Sequence, residues 1–277
     1  ILDYFSPEGA LKLIEKEKIS FVSTVPAQLA MMLEHPQLEA YDLSTVRYWY
    51  SVGAPLPGKV AVGIEEKMGG TVLTGYGLTD WGGMTITLPE VPREIRLASS
   101  GKPIWGTEVK IVDDDGKQVP QGETGEVWGR GACCGSGYYG DQEATRQAWT
   151  EDGWFRTGDL GMIDEKGNLA IVGRKKDMII RGGENIYPVE IENLLITHPK
   201  ILHVVIVKMP DPVMGEKACA FVVPRQGQDF TFDEMISFLK AKEIAHYKLP
   251  ERLEILDAMP MVGGDQKVNK NLLKNLL

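Results

Sequence analysis

Apolar residues along the chain fall into three successive textures. Behind Ser6-Pro7, Leu11, Leu13 and Ile14 recur at helical spacing and predict a helix over residues 6–18, with Ser6 as N-cap and Pro7 in the first turn. The β-branched run 19–25 reads as a buried strand, and the Met- and Leu-rich stretch 26–33 as a second helix. Residues 46–52 form a second strand, broken by Gly53-Ala54-Pro55-Leu56-Pro57. A helix through Lys67, a strand over 71–74 and a turn over 75–80 follow. Strands alternating with helices imply an α/β layer on a mainly parallel sheet over residues 1–100.

After Ser100 the texture changes to short strands, 109–113, 126–130, 161–164 and 169–172, separated by Asp/Gly turns. Their spacing suggests a small β-barrel-like subdomain over 101–175. The remainder, 176–277, predicts a compact α+β domain with helices over 188–197 and 231–242 and strands over 202–209 and 218–223. The expected organisation is therefore a larger body, 1–175, followed by a small domain, 176–277.

Composition narrows the function only by exclusion. The chain has 277 residues, 43% hydrophobic and 25% charged, as globular proteins do. No apolar run reaches the roughly 18 residues of a membrane span. Cys133, Cys134 and Cys219 lack CxxC or Cys/His metal spacing, so a reducing, cytoplasmic setting fits best. A net charge of −9 weighs against a nucleic-acid partner.

The chemistry concentrates in Gly153–Asn185, GWFRTGDLGMIDEKGNLAIVGRKKDMIIRGGEN. Asp159 can accept both hydroxyl protons of a ribose. Arg174 presents a planar fork of donors beside Lys175 and Lys176. Paired glycines, Gly182 and Gly183, permit either a tight turn or close passage of a ligand. Upstream, Gly75 and Gly77 flank Tyr76 in Leu73–Trp81, LTGYGLTDW, a tight turn at a strand end where open α/β sheets bind ligands. The run Ser99-Ser100-Gly101-Lys102-Pro103 is not a phosphate loop, because it lacks the required span and leads into a strand.

These segments, with SVGAPLP at 51–57 and PMVGGDQKVNKNLLK at 260–274, resemble the adenylate-forming (AMP-binding) enzymes: acyl-CoA synthetases, aryl-acid ligases, adenylation domains and luciferases. The resemblance runs the length of the chain, with at least five motifs in the family's order. It implies that Tyr76 lies against adenine, that Thr79 bonds the adenylate phosphate, and that Asp80 holds Mg²⁺. It gives Gly53, Ala54 and Pro55 to backbone contact with the nucleotide, and Asp159 with Arg174 to the ribose. Lys176 becomes the hinge between two domains, and Gly182-Gly183 borders the pantetheine of coenzyme A. Lys267 would reach the substrate carboxylate and the α-phosphate, with Lys270 a lesser candidate. The sequence departs from the family pattern at Asp80, where Glu is usual, and at Gln266, where glycine is usual, in a loop one residue longer.

The implied reaction joins a small carboxylic acid to coenzyme A with ATP, through an acyl-adenylate. Loading of a carrier-protein thiol, or a non-catalytic nucleotide-binding role, uses the same motifs. Trp81, Gly82, Gly83 and Met84 are expected to line part of the acid pocket, with Trp81 shortening it. The family's Ser/Thr/Gly-rich loop for the β- and γ-phosphates has no counterpart here. The expectation is accordingly a C-terminal part of a longer enzyme, whose large domain is partial and whose natural partner is its own N-terminal part. Exposed apolar surface would then favour association, including an oligomer.

Overall fold

The computed structural model describes residues 4–262 and 267–277, without the side chains of Met84 and Lys267. The chain divides into two compact units, with the boundary between Ile171 and Val172.

The first unit opens as its pattern dictates. Helix α1 (Pro7–Glu17) starts where the Ser6 hydroxyl accepts the Gly9 N–H at 3.1 Å, and ends at Lys18 in a left-handed conformation. Strand β1 (Phe21–Thr24), α2 (Pro26–Leu33), β2 (Tyr48–Ser51), α3 (Gly58–Lys67) and β3 (Thr71–Leu78) then alternate. Strands β1, β2 and β3 pair in parallel because each pair is separated by a helix. Leu11, Leu29, Met32, Trp49, Ile64 and Val72 form the core between helices and sheet.

The sheet is mixed. After β3 the chain turns directly into β4 (Gly82–Ile86), passes through α4 (Arg93–Ala98) and adds β5 (Lys102–Pro103), and both new pairings are antiparallel. Tyr76 therefore lies within a strand that runs on to Leu78, and the turn is confined to the residues before Gly82. Thr74 makes that hairpin a fixed joint. Its N–H bonds the Thr87 hydroxyl at 2.8 Å, and its own hydroxyl donates to the Ser99 carbonyl at 2.7 Å.

Strands β6 (Thr107–Val112) and β7 (Gly125–Gly131), helix α5 (Gln142–Ala148), β8 (Phe155–Ile163) and β9 (Leu169–Arg174) follow. They build a four-stranded sheet in the order β6-β7-β8-β9. The expected barrel-like subdomain is corrected here: the first and last strands, β6 and β9, do not pair with each other, since so few strands cannot tilt enough to close around filled side chains. Its core is Trp81, Ile111, Val127, Phe155 and Leu169.

In the second unit, β10 (Ile179–Arg181) and β11 (Glu184–Ile186) form a hairpin leading into α6 (Pro188–Leu195). Two long strands, β12 (Ile201–Asp211) and β13 (Gly215–Pro224), pair antiparallel, followed by α7 (Phe232–Ala241) and β14 (Arg252–Ile255). Ile206 and Ala220 face the cluster around Ile191 and Leu239, whereas Val207, Cys219 and Phe221 face another around Leu273. Burial on both faces explains why these strands read as nearly continuous apolar runs. Strands β15 (Met261–Val262) and β16 (Lys267–Val268) and helix α8 (Lys270–Lys274) close the chain.

Candidate functional site

Asp159 owes its position to an interruption of β8. Against β7 the register runs Glu126↔Leu160 and Trp128↔Arg156, so Thr157, Gly158 and Asp159 all face Val127. Such a bulge re-aims side chains next to functional sites. Gly158 adopts a left-handed φ of +69°, which a side chain resists, and gives its N–H to Glu126 Oε1 at 3.2 Å. The Thr157 hydroxyl stands in for missing ladder partners. It donates to the Val127 carbonyl at 2.7 Å and accepts the Asp159 N–H at 3.0 Å.

The bulge leaves Asp159 only 4% exposed. A carboxylate there needs bonded partners. Its Oδ2 accepts the Tyr76 hydroxyl at 2.7 Å, across a separation of 83 residues. Two residues predicted from different motifs, on different sheets, thus meet at one point.

Strands β1 and β2 end level with Thr74 of β3, in the register Thr24↔Ser51↔Thr74, and β3 alone runs on to Leu78. The Gly53-Ala54-Pro55 loop consequently leaves the sheet next to Gly75, and the Tyr50 ring packs over Gly75. Burial pushes the Tyr50 phenol above its ordinary pKa. Ser51 is buried, and its hydroxyl has no hydrogen-bond partner.

Thr79 is exposed and Asp80 half-buried at the turn between β3 and β4. The Asp80 carbonyl accepts the Gly135 N–H at 2.8 Å, tying the Cys133-Cys134 loop to that turn. Burial, and then a hydrogen bond with the Asp80 carboxylate, push the Tyr138 phenol up. Tyr138 itself is braced edge-on against Trp149, with ring centroids 5.1 Å apart. Among the described residues no group of three or more His, Cys, Asp or Glu could hold a metal ion by itself. One half-open carboxylate does fit Mg²⁺, which takes one or two protein oxygens and completes its shell with water and phosphates.

One expectation is overturned. Trp81 is wholly buried, in the cluster with Ile111, Val127 and Phe155, and its ring occupies the space over Gly129. It serves as core of the four-stranded sheet and lines no acid pocket, because every side-chain face is already packed. Its edge meets the Tyr76 ring at a centroid distance of 6.4 Å. The side chain of Met84 lies outside the described residues.

The other predicted residues belong to the second unit. Arg174 ends β9, and Lys176 is exposed on a short 3-10 turn, Lys175–Asp177. Gly182 and Gly183, at φ +58° and +91°, are the two central residues of the β10–β11 hairpin turn. Positive φ at both positions is the conformation that right-twisted hairpins favour. The Gly182 N–H bonds the Met214 carbonyl at 2.8 Å. Lys270 is engaged with Glu192 at 3.3 Å. The backbone of Lys267 pairs with Val262, but its side chain and residues 263–266 lie outside what is described. A depression of about 350 Å³ in this unit, between Arg225 and Asp257, holds none of the predicted residues.

Residues 2–139 match the family model described as AMP-binding enzyme, and residues 190–263 that of the AMP-binding enzyme C-terminal domain. The chain belongs to the AMP-binding enzymes. It is similar to a putative acyl-CoA synthetase, YngI, of Bacillus subtilis, 40% identical over 98% of this chain and 49% of that protein. A medium-chain acyl-CoA ligase of Danio rerio is 41% identical over 95% of this chain and 44% of its own length. Among solved structures, the amide bond synthetase McbA of Marinactinospora thermotolerans superposes with a TM-score of 0.91 at 33% identity, over 99% of this chain and 55% of that one. The chain spans about half the length of the curated relatives it matches. No helix among the described residues is long and apolar enough to cross a membrane.

For this AMP-binding enzyme, reading the sequence missed Thr157 and Glu126, which hold the bulge, and Tyr138. Thr157 carried a signal: a threonine two residues before an aspartate, with glycine between, can bond its own backbone two residues on.

Proposed function

We propose that the complete enzyme is an ATP-dependent carboxylic acid–CoA ligase. A carboxylate oxygen attacks the α-phosphorus of ATP and pyrophosphate leaves. The thiol of coenzyme A then loses its proton, its sulfur attacks the acyl carbon, and AMP departs. The observation that carries this reading is the 2.7 Å bond between Tyr76 and Asp159, just past the point where the parallel pairing of β1, β2 and β3 ends. It sets a planar ring and a buried acid side by side, as an adenosine requires.

In this reading the Tyr76 ring lies against adenine, and Asp159 and Arg174 accept and donate to the ribose hydroxyls. Gly53, Ala54, Pro55, Gly75 and Gly77 let the backbone approach the nucleotide. Thr79 bonds the adenylate phosphate, and Lys267 balances charge as it builds on the carboxylate and α-phosphate. Mg²⁺ held by Asp80 would neutralise phosphate charge. Rotation about Lys176 would exchange Lys267 for the Gly182-Gly183 turn, which borders pantetheine in the second step. Three free cysteines suit a cytoplasmic or other reducing compartment.

The names of the Bacillus and Danio relatives support acyl-CoA formation, and the likeness to an amide bond synthetase supports an amine as second acceptor class. The test supplies complete enzyme with ATP, Mg²⁺ and a panel of medium-chain and aromatic acids, then coenzyme A, a phosphopantetheinyl carrier or an amine. Thioester from coenzyme A is the expected product. Amide without thioester would redirect the assignment.

A further inference from the structure

We infer that Thr157 is a positioning residue that selects for the ribose by fixing the aim of Asp159. The inference rests on the reading of Asp159 as the ribose ligand. Three residues of β8 face one residue of β7, so the backbone there has lost its ladder bonds. The Thr157 hydroxyl closes that gap in both directions, donating to Val127 at 2.7 Å and accepting from the N–H of Asp159 itself at 3.0 Å. Between them Gly158 swings through φ +69°, a conformation with several ways to relax once its neighbours are released. The carboxylate's bond to Tyr76 fixes the far end of the side chain. The threonine hydroxyl fixes its root. With both ends held, the acid meets a sugar without reorganising, which is where preorganised sites gain affinity.

Thr157→Val keeps the shape and the β-branch but removes both hydrogen bonds, while Thr157→Ser keeps the bonds. Calorimetry on the complete enzyme measures binding of AMP and of 2′,3′-dideoxy-AMP, which lacks the hydroxyls Asp159 would accept. Wild type should prefer AMP by roughly tenfold or more, the scale of a hydrogen bond to a charged group. Thr157→Val should shrink that preference to about twofold, chiefly by weakening AMP, and Thr157→Ser should keep it within about twofold of wild type. A merely structural role would weaken both nucleotides alike.

An unchanged preference in Thr157→Val, or equal loss in Thr157→Ser, overturns the inference. Thr157→Ala is a second variant without the hydroxyl; if neither it nor Thr157→Val folds, the hydroxyl serves the sheet rather than the site, and the inference is likewise wrong. A complete wild-type enzyme that binds the two nucleotides equally, or binds neither, removes the ribose role of Asp159 instead.

Discussion

The phenol of Tyr50 occupies the space that a side chain on Gly75 would need. The glycine before Tyr76 is thus a packing requirement within β3, not a turn device. Gly75→Ala should force the Tyr50 ring aside and cost about 1–3 kcal/mol, the usual penalty of overpacking. Adding Tyr50→Ala should relieve the clash, so the two changes together cost less than their sum. Urea unfolding of both single variants and the double variant checks this; strict additivity would show that the two positions do not share the space.

A second relationship sets acid stability. Glu65 bonds Arg96 at 2.8 Å, Arg93 at 2.7 Å and the Val72 N–H at 2.9 Å. Burial opposes its charge, but Arg96, the Val72 N–H and Arg93 together outweigh burial and hold its carboxyl below the ordinary range. Because the folded value is depressed, the contribution is complete above the unfolded value of about 4.3 and fades as pH falls through the folded one. Arg96→Ala should destabilise by about 1–3 kcal/mol, since a half-buried carboxylate loses a charged hydrogen-bond partner while keeping Arg93 and the Val72 N–H. The double variant Arg96→Met/Glu65→Gln should lose less stability than wild type between pH 7 and pH 3. Equal losses in urea midpoints would remove this pair from the acid response.

Much of this was legible in the chain, and the failures share a cause. Ser6-Pro7 announced α1 because capping is a local property, and the hydroxyl bonds Gly9 as that pattern requires. The first three helices and the three parallel strands followed from apolar spacing, β-branched runs and Gly/Pro breaks, whereas α4 (Arg93–Ala98) did not. The curvature of the four-stranded sheet did not, because strand spacing says nothing about whether the first and last strands meet. Strand β8 was read only at its end, since the bulge at Thr157-Gly158-Asp159 breaks alternation where the chemistry sits. Trp81 was misplaced because a large aromatic after Asp80 suits a pocket or a core equally. Only Gly129, 48 residues later and without a side chain, makes room for it in the core.

The Gly182-Gly183 turn separates stability from function. Asn tolerates positive φ better than other residues, and nothing lies near the position of a Gly183 side chain. Gly183→Asn should therefore cost less than about 1 kcal/mol while slowing thioester formation more than adenylation in the complete enzyme. Single-turnover rates from preformed adenylate give the answer; unchanged thioester formation would reduce the pair to a hairpin turn.

Lys267 makes the opposite prediction. Lys267→Ala should slow adenylation by about 10²-fold or more, the range seen when a group balancing transition-state charge is lost. Thioester formation from preformed adenylate should fall by much less. Equal losses in both half-reactions would contradict its assignment to the first.

The most direct measurement is exchange of labelled pyrophosphate into ATP by the complete enzyme, run with each acid and without coenzyme A. Exchange that requires an acid, and that drops by about 10²-fold or more in Asp159→Asn, is what the shared adenosine site of Tyr76 and Asp159 predicts. Absence of exchange with every acid, or exchange by Asp159→Asn at the wild-type rate, would contradict it.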